Sequence, residues 1–165
     1  MLRVIFDTNI YSFLVKDKNV ELLTTKILTD KDFLVYGYKP IRDELREVPK
    51  HLKLGKLNQR NLVLGLYDGL VKSKNLKDNS EIEKLAKKYF FHCLSLGSKI
   101  SWTNVEVDFK MVSCASLNNL DIVVSEDNKM LKNKKALESF RTINDKESLR
   151  TPDFWDYHRL IRKYL

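Results

Sequence analysis

Four carboxylates stand at positions where they can do chemistry together: Asp7, Glu44, Asp108 and Asp127. Asp7 directly follows a short β-rich apolar run, Leu2 to Phe6, and Asp127 follows another, Ile122 to Val124. Glu44 is expected in the first turns of the helix after a second run, Phe33 to Tyr38, and Asp108 is expected to open the helix that leads to Ile122. In an open parallel sheet, functional groups gather beyond the carboxyl ends of the strands, so all four can reach one rim. Carboxylates brought that close repel one another and raise each other's pKa unless a cation neutralises them. Hard oxygen ligands without a partnering His or Cys select Mg²⁺ or Mn²⁺ rather than zinc, and such ions activate water and stabilise charge on a phosphodiester.

The elements that must position these acids follow from periodicity. Leu2 to Phe6 reads as a strand broken by Asp7-Thr8-Asn9, residues that favour turns and helix caps. Phe33 to Tyr38 reads as a strand closed by Pro40, after which Ile41, Leu45 and Val48 recur at helical spacing until Pro49. Asn58 to Leu70 and Ser80 to Leu96 repeat apolar residues at three and four, and Ser80 with Glu83 forms a candidate capping box. Met111, Val112 and Ala115 continue a helix after Asp108, Asn118-Asn119 interrupts it, and Ile122 to Val124 is a buried-type strand. Phe140 to Ile143 reads as a last short strand, and Thr151-Pro152-Asp153 as the opening of a C-terminal helix. Strands alternating with helices predict one α/β domain over residues 1–165, a three-layer α/β/α arrangement around a mainly parallel sheet.

Composition limits the function classes. The 165 residues carry 43% hydrophobic side chains and few glycines or prolines, which excludes a disordered chain. Thirty Lys and Arg against 22 Asp and Glu leave a formal charge of +8, which favours a polyanionic partner without identifying one. Cys93 and Cys114 lie in apolar helical stretches and read as buried free thiols, which suits a reducing compartment. With no apolar run near the ~20 residues of a membrane span and no signal-peptide pattern, the expected location is the cytoplasm. His51, His92 and His158 lack ligand spacing and are given no catalytic role. Phe90, Phe91, Trp102 and Trp155 read as core or interface residues.

The segments VIFDTNIYSFLV, ELREV and VDFKMVSCASLNNLDIVVSEDNKML resemble the PIN domain, including its VapC-type toxin ribonucleases, over nearly the whole chain. The family pattern of an aspartate after strand one, a Glu in the second helix, an aspartate opening a late helix and a Ser or Thr two residues before a last aspartate is met by Asp7, Glu44, Asp108, Ser125 and Asp127. The resemblance implies that Asp7, Glu44, Asp108 and Asp127 bind Mg²⁺ or Mn²⁺ for hydrolysis of RNA. It also implies that Ser125 orients an acid, and that Asn9 fixes Asp7 or contacts substrate. Thr151-Pro152-Asp153-Phe154 resembles the chain end of many toxin-type members. An antitoxin protein and a homodimer are the partners the resemblance implies besides RNA.

Alternatives remain open at this level. Asp43 or Glu47 could replace Glu44, Glu106 could replace Asp108, and Glu126 could replace Asp127, because a slip of register changes which acid points inward. Asp121 enters its strand at the wrong end and reads as a surface turn residue. The Lys129 to Lys135 run could flank the rim and contact phosphates, or be a solvated helix face. Rival functions are a non-cleaving RNA- or protein-binding module, a stand-alone RNA-processing nuclease, a nuclease for structured DNA, and a dehalogenase-like phosphatase. The phosphatase needs a second acid two residues after its nucleophile, and Asn9 stands there.

Overall fold

A computed structural model describes residues 1–128 and 131–165. Strand β1 (Leu2–Phe6) leads into helices α1 (Thr8–Lys16) and α2 (Val20–Thr29), then β2 (Phe33–Tyr38) and α3 (Lys39–Arg46). A hairpin of β3 (Lys53–Leu54) and β4 (Leu57–Asn58) precedes α4 (Gln59–Val71), β5 (Asn75–Leu76), α5 (Ser80–Ser95) and α6 (Trp102–Leu117). The chain closes through β6 (Ile122–Val124), α7 (Lys134–Lys146), β7 (Asp153–Trp155) and α8 (Tyr157–Tyr164). None of these helices is long and apolar enough to cross a membrane, among the described residues.

The main sheet runs β5-β2-β1-β6-β7, and each of its neighbouring pairs is parallel. Parallel pairing requires crossovers, so helices cover both faces and the strands are apolar on both sides. Accordingly Val4, Ile5, Phe6, Val123 and Val124 are wholly buried. Helices α5, α6 and α7 pack on one another, whereas α1, α3 and α4 form a second group. The result is a three-layer α/β/α architecture. Its sense of winding reverses at the centre, because β1 connects to β2 on one side while β6 arrives on the other. Such a switch point opens a crevice beyond the strand ends, and here it lies between the ends of β1 and β6.

Helix starts are written largely in Asx side chains. Asp7, Asn58, Asn79, Asn133 and Asp156 each accept a backbone N–H in the first turn of the helix that follows. Asn79, not Ser80, is therefore the cap of α5, one residue earlier than the Ser-x-x-Glu pattern suggests. Two further expectations are corrected. Phe140 to Ile143 lies inside α7, where Phe140 and Ile143 are the buried face of a helix. The last strand is instead Asp153–Trp155, paired with β6, and α8 starts only at Tyr157. Pro152 can precede a strand as readily as open a helix, and the vacant edge of β6 decides between them.

Close packing sets two positions sharply. At Gly37 of β2 an added Cβ would lie 2.2 Å from the Tyr67 hydroxyl oxygen and 2.7 Å from Val71. Tyr67 cannot easily withdraw, since its hydroxyl donates to the Asn75 side chain. Gly37→Ala is expected to cost about 2 kcal/mol through overpacking, seen as a fall in Tm of about 4–8 °C. Tyr11 presents the opposite case: it is fully buried, and its hydroxyl has no hydrogen-bond partner among the described residues. Tyr11→Phe is expected to stabilise the protein by about 1 kcal/mol in thermal or urea unfolding; a loss of stability would mean that the hydroxyl is hydrogen-bonded.

Candidate functional site

The parallel sheet delivers its functional side chains at the carboxyl ends of β1, β2 and β6. Asp7 continues β1, its backbone N–H donating to the Val124 carbonyl at 2.9 Å. Its side chain is 5% exposed and accepts from the Thr8 backbone N–H at 2.7 Å, which caps α1. The second carboxylate oxygen accepts from the Ser125 hydroxyl at 2.6 Å and the Asn9 amide at 2.9 Å. Ser125 is fully buried, and its oxygen also accepts the Asp127 backbone N–H at 2.9 Å. Asn9 ties down the same loop by accepting the Glu126 N–H at 3.2 Å. Ser125 and Asn9 therefore bridge the ends of β1 and β6, and hold Asp7 relative to the segment that carries Asp127.

Glu44 faces this loop from α3. Its carboxylate accepts from the Thr8 hydroxyl at 2.6 Å, so the residue after Asp7 anchors the acid of α3. Asp108 comes from the middle of α6, not from its start: the helix begins at Trp102 with Ser101 as its cap. The apolar side chains Val105, Phe109 and Val112 continue the helical pattern on both sides of Asp108, which places it within the helix.

Electrostatics put the four acids in one neighbourhood. Burial pushes the Asp108 carboxyl up to about 8, and the charges of Asp7, Asp127 and Glu44 push it further in the same direction. Burial also raises Asp7 to about 6; the hydrogen bonds from Ser125 and Thr8 oppose the rise, while Glu44 and Asp127 add to it. Even so, no three His, Cys, Asp or Glu side chains converge tightly enough to hold an ion among the described residues. The two observations differ in range. Coulomb repulsion acts over several ångströms, whereas ligation needs oxygens about 2.0–2.6 Å from one ion. Glu44 is drawn toward Thr8 and Asp7 toward Ser125 and Asn9, so a divalent cation would have to draw the carboxylates inward. The donor set suits Mg²⁺ or Mn²⁺, being all oxygen and strongly anionic.

The alternative acids are engaged elsewhere. Asp43 pairs with Lys39 at 2.6 Å and Arg46 at 3.7 Å on the outer side of α3, and Glu47 is the exposed cap of that helix. Glu106 lies 3.9 Å from Lys110, and Glu126 accepts the Tyr157 backbone N–H. Asp121 is more than a turn residue, since it accepts the Arg3 N–H at 2.7 Å and pairs with Arg150 at 2.7 Å at the amino ends of the strands. Cys93 and Cys114 are buried free thiols. Phe91 is 62% exposed and thus not core. Lys129, named above as a phosphate contact, lies outside the described residues.

Sequence reasoning missed Thr8 as the anchor of Glu44, reading it only as a turn residue. It also missed a cluster beside α6, in which Asp78 accepts from the Tyr38 hydroxyl at 2.7 Å and from Lys110 at 2.6 Å. These contacts tie the end of β2 to the helix that carries Asp108. No local signal marks them, because the partners are tens of residues apart.

No family model and no curated protein matches this chain. Solved structures do. The chain superposes on FitAcB from Neisseria gonorrhoeae with a TM-score of 0.59 at 17% identity, covering 94% of this chain and 98% of that one. VapBC-1 from nontypeable Haemophilus influenzae gives 0.57 at 16% identity, over 95% and 99% of the two chains. VapBC2 from Rickettsia felis, bound to a promoter DNA fragment, gives 0.58 at 13% identity, over 94% and 98%. Identity this low shows the fold alone. The assignment to the PIN domain and its VapC-type ribonucleases is corrected accordingly: short motifs of common residue types suggested a family that no family model supports, and what is shared with these complexes is architecture.

The carboxylate cluster has a measurable consequence for stability. Asp7 and Asp108 keep protons in the folded chain up to about pH 6 and 8, whereas both ionise near 3.8 when it unfolds. Between those limits the folded chain binds more protons, so their contribution to stability falls as pH rises. In EDTA, Asp108→Asn is therefore expected to match wild type near pH 4 and to melt several degrees higher at pH 8. Mn²⁺ should raise the wild-type Tm at pH 8 and leave the variant almost unmoved; equal behaviour of the two proteins at every pH would refute the cluster.

Proposed function

We propose that this protein is a divalent-metal-dependent endoribonuclease whose site is built from Asp7, Glu44, Asp108 and Asp127. The observation that carries the reading is the buried Asp7, held by Ser125 and Asn9 at the switch point of a parallel sheet and sharing one electrostatic field with the other three acids. A fold does not keep such charges together for stability, since each one destabilises the others. When bound, Mg²⁺ or Mn²⁺ supplies activation of water and neutralisation of charge on a phosphodiester.

The chain's own residues do the positioning. Ser125 and Asn9 present one oxygen of Asp7 in a fixed direction, and Thr8 does the same for Glu44. Asp108, on a helix packed against α5, supplies a carboxylate from the opposite helical layer. RNA is the substrate class we favour, a polyanion suited to a chain that is basic overall.

The neighbours are toxin–antitoxin complexes, which supports a role in such a pair with a protein partner bound alongside this chain. A second copy of the chain belongs to the same reading.

Incubation of wild type and Asp7→Asn with labelled single-stranded RNA and a mixed tRNA pool, in Mg²⁺, Mn²⁺ or EDTA, tests the proposal. Wild type is expected to cleave in metal and not in EDTA, with Asp7→Asn at least 100-fold slower while equally folded. Cleavage that survives both EDTA and the substitution would overturn the metal site. Mn²⁺ binding without cleavage of any RNA would replace the enzyme with a binding module.

A further inference from the structure

Between Glu47 and Asp68 the chain has no acidic residue, yet it carries Lys50, Lys53, Lys56 and Arg60. This stretch forms the β3–β4 hairpin, in which Lys53 pairs with Asn58 and Leu54 with Leu57. Gly55 takes the left-handed conformation, φ 63°, and Lys56 does not, the pattern of a two-residue turn with glycine first. The hairpin is fastened to its surroundings: the Arg60 guanidinium donates to the Val48 carbonyl at 2.6 Å, the Asn58 amide to the Lys50 carbonyl at 2.7 Å, and the Gln59 N–H to the Leu52 carbonyl at 2.9 Å. Lys50, Lys53 and Lys56 are exposed. Like most lysines of this chain, none of the three forms an ion pair among the described residues, so no carboxylate cancels their charge.

We propose that the β3–β4 hairpin is a phosphate-backbone grip that holds an RNA strand beside the carboxylate site. The inference rests on the ribonuclease reading. An acidic rim repels the parts of a polyanion that the metal does not contact, so cations nearby that are not already neutralised add the attraction that holds the strand. The hairpin supplies them on a fixed scaffold with no acid in its own stretch of sequence. Lys50 follows Glu44 by six residues, and the reach of an extended chain limits their separation to about 20 Å. Lysine contacts to phosphate carry charge without sequence preference, so the hairpin sets affinity and path, and leaves target choice to other residues. An acidic protein segment is the competing occupant. The need to offset the carboxylate rim favours RNA, because that need exists only for a ligand that must enter the site.

The test uses the triple variant Lys50→Gln/Lys53→Gln/Lys56→Gln in the full chain. A control triple, Lys72→Gln/Lys74→Gln/Lys77→Gln, removes the same charge from the turn before α5. Binding of a fluorescein-labelled 20-nucleotide single-stranded RNA is followed by anisotropy in an Asp7→Asn background, so that the probe stays intact. The hairpin triple is expected to weaken binding at least 10-fold at low salt. It should also reduce the slope of log affinity against log salt by about 2, the value for three lost contacts to a single strand. Tm is expected to stay within about 2 °C of the parent, and the control triple to change affinity less than 3-fold. Equal losses from both triples would reduce the effect to net charge and overturn the proposal. So would unchanged RNA affinity accompanied by lost binding of a poly-glutamate peptide, which would assign the hairpin to an acidic protein. Cleavage by proteins with Asp7 intact is scored separately: hairpin-dependent RNA binding without metal-dependent cleavage would overturn the ribonuclease reading and leave the grip standing.

Discussion

The hydrogen bond from Ser125 to Asp7 is the contact on which the rest of the site depends. It joins the ends of the two central strands, β1 and β6, at the place where the sheet changes its direction of winding. A buried carboxylate is costly unless its lone pairs are occupied, and Asp7 meets that demand with Thr8, Asn9 and Ser125. The same hydroxyl accepts the backbone of Asp127, so the loop that carries one acid is positioned by the group that stabilises another.

Around this bond the fold does something a stable core would avoid. It brings Asp108 and Glu44 in from helices on different layers, close enough that the charge of Glu44 adds to the raised pKa of both Asp7 and Asp108. The unfavourable field is localised at one rim, while the chain as a whole is basic. Outside the rim, acids are placed against cations: Asp68 with Arg42, Asp78 with Lys110, Asp121 with Arg150, Asp30 with Lys163. The rim gathers acids, and the hairpin gathers lysines that form no ion pair among the described residues.

The contacts that shape the site are modest in number and long in sequence range. Thr8 reaches Glu44, Asp78 joins Tyr38 to Lys110, and Gly37 makes room for Tyr67. Thr8 ties α1 to α3, Asp78 joins the end of β2 to α6, and the close fit at Gly37 sets α4 against β2.

Patterns of period and punctuation were enough to place β1, β2, β6 and the helices α3 to α5, and to mark Asp7 at a strand end, because each of those features is local. Asp7-Thr8-Asn9 announces a strand end, and Ser125 with Asp127 does the same for β6. Local rules failed where a partner far along the chain made the choice. Phe140 to Ile143 suits a strand or a helix, and packing against Tyr89 and Phe109 selects the helix. Asp153–Trp155 becomes a strand only because β6 offers an open edge. Which acid of Asp43, Glu44 and Glu47 faces inward was likewise undecidable until the Thr8 hydroxyl and the Lys39 and Arg46 side chains were in place. The types of chemical group were legible in the sequence; their direction was decided by tertiary contacts, because side-chain orientation depends on register and long-range packing that no short window contains.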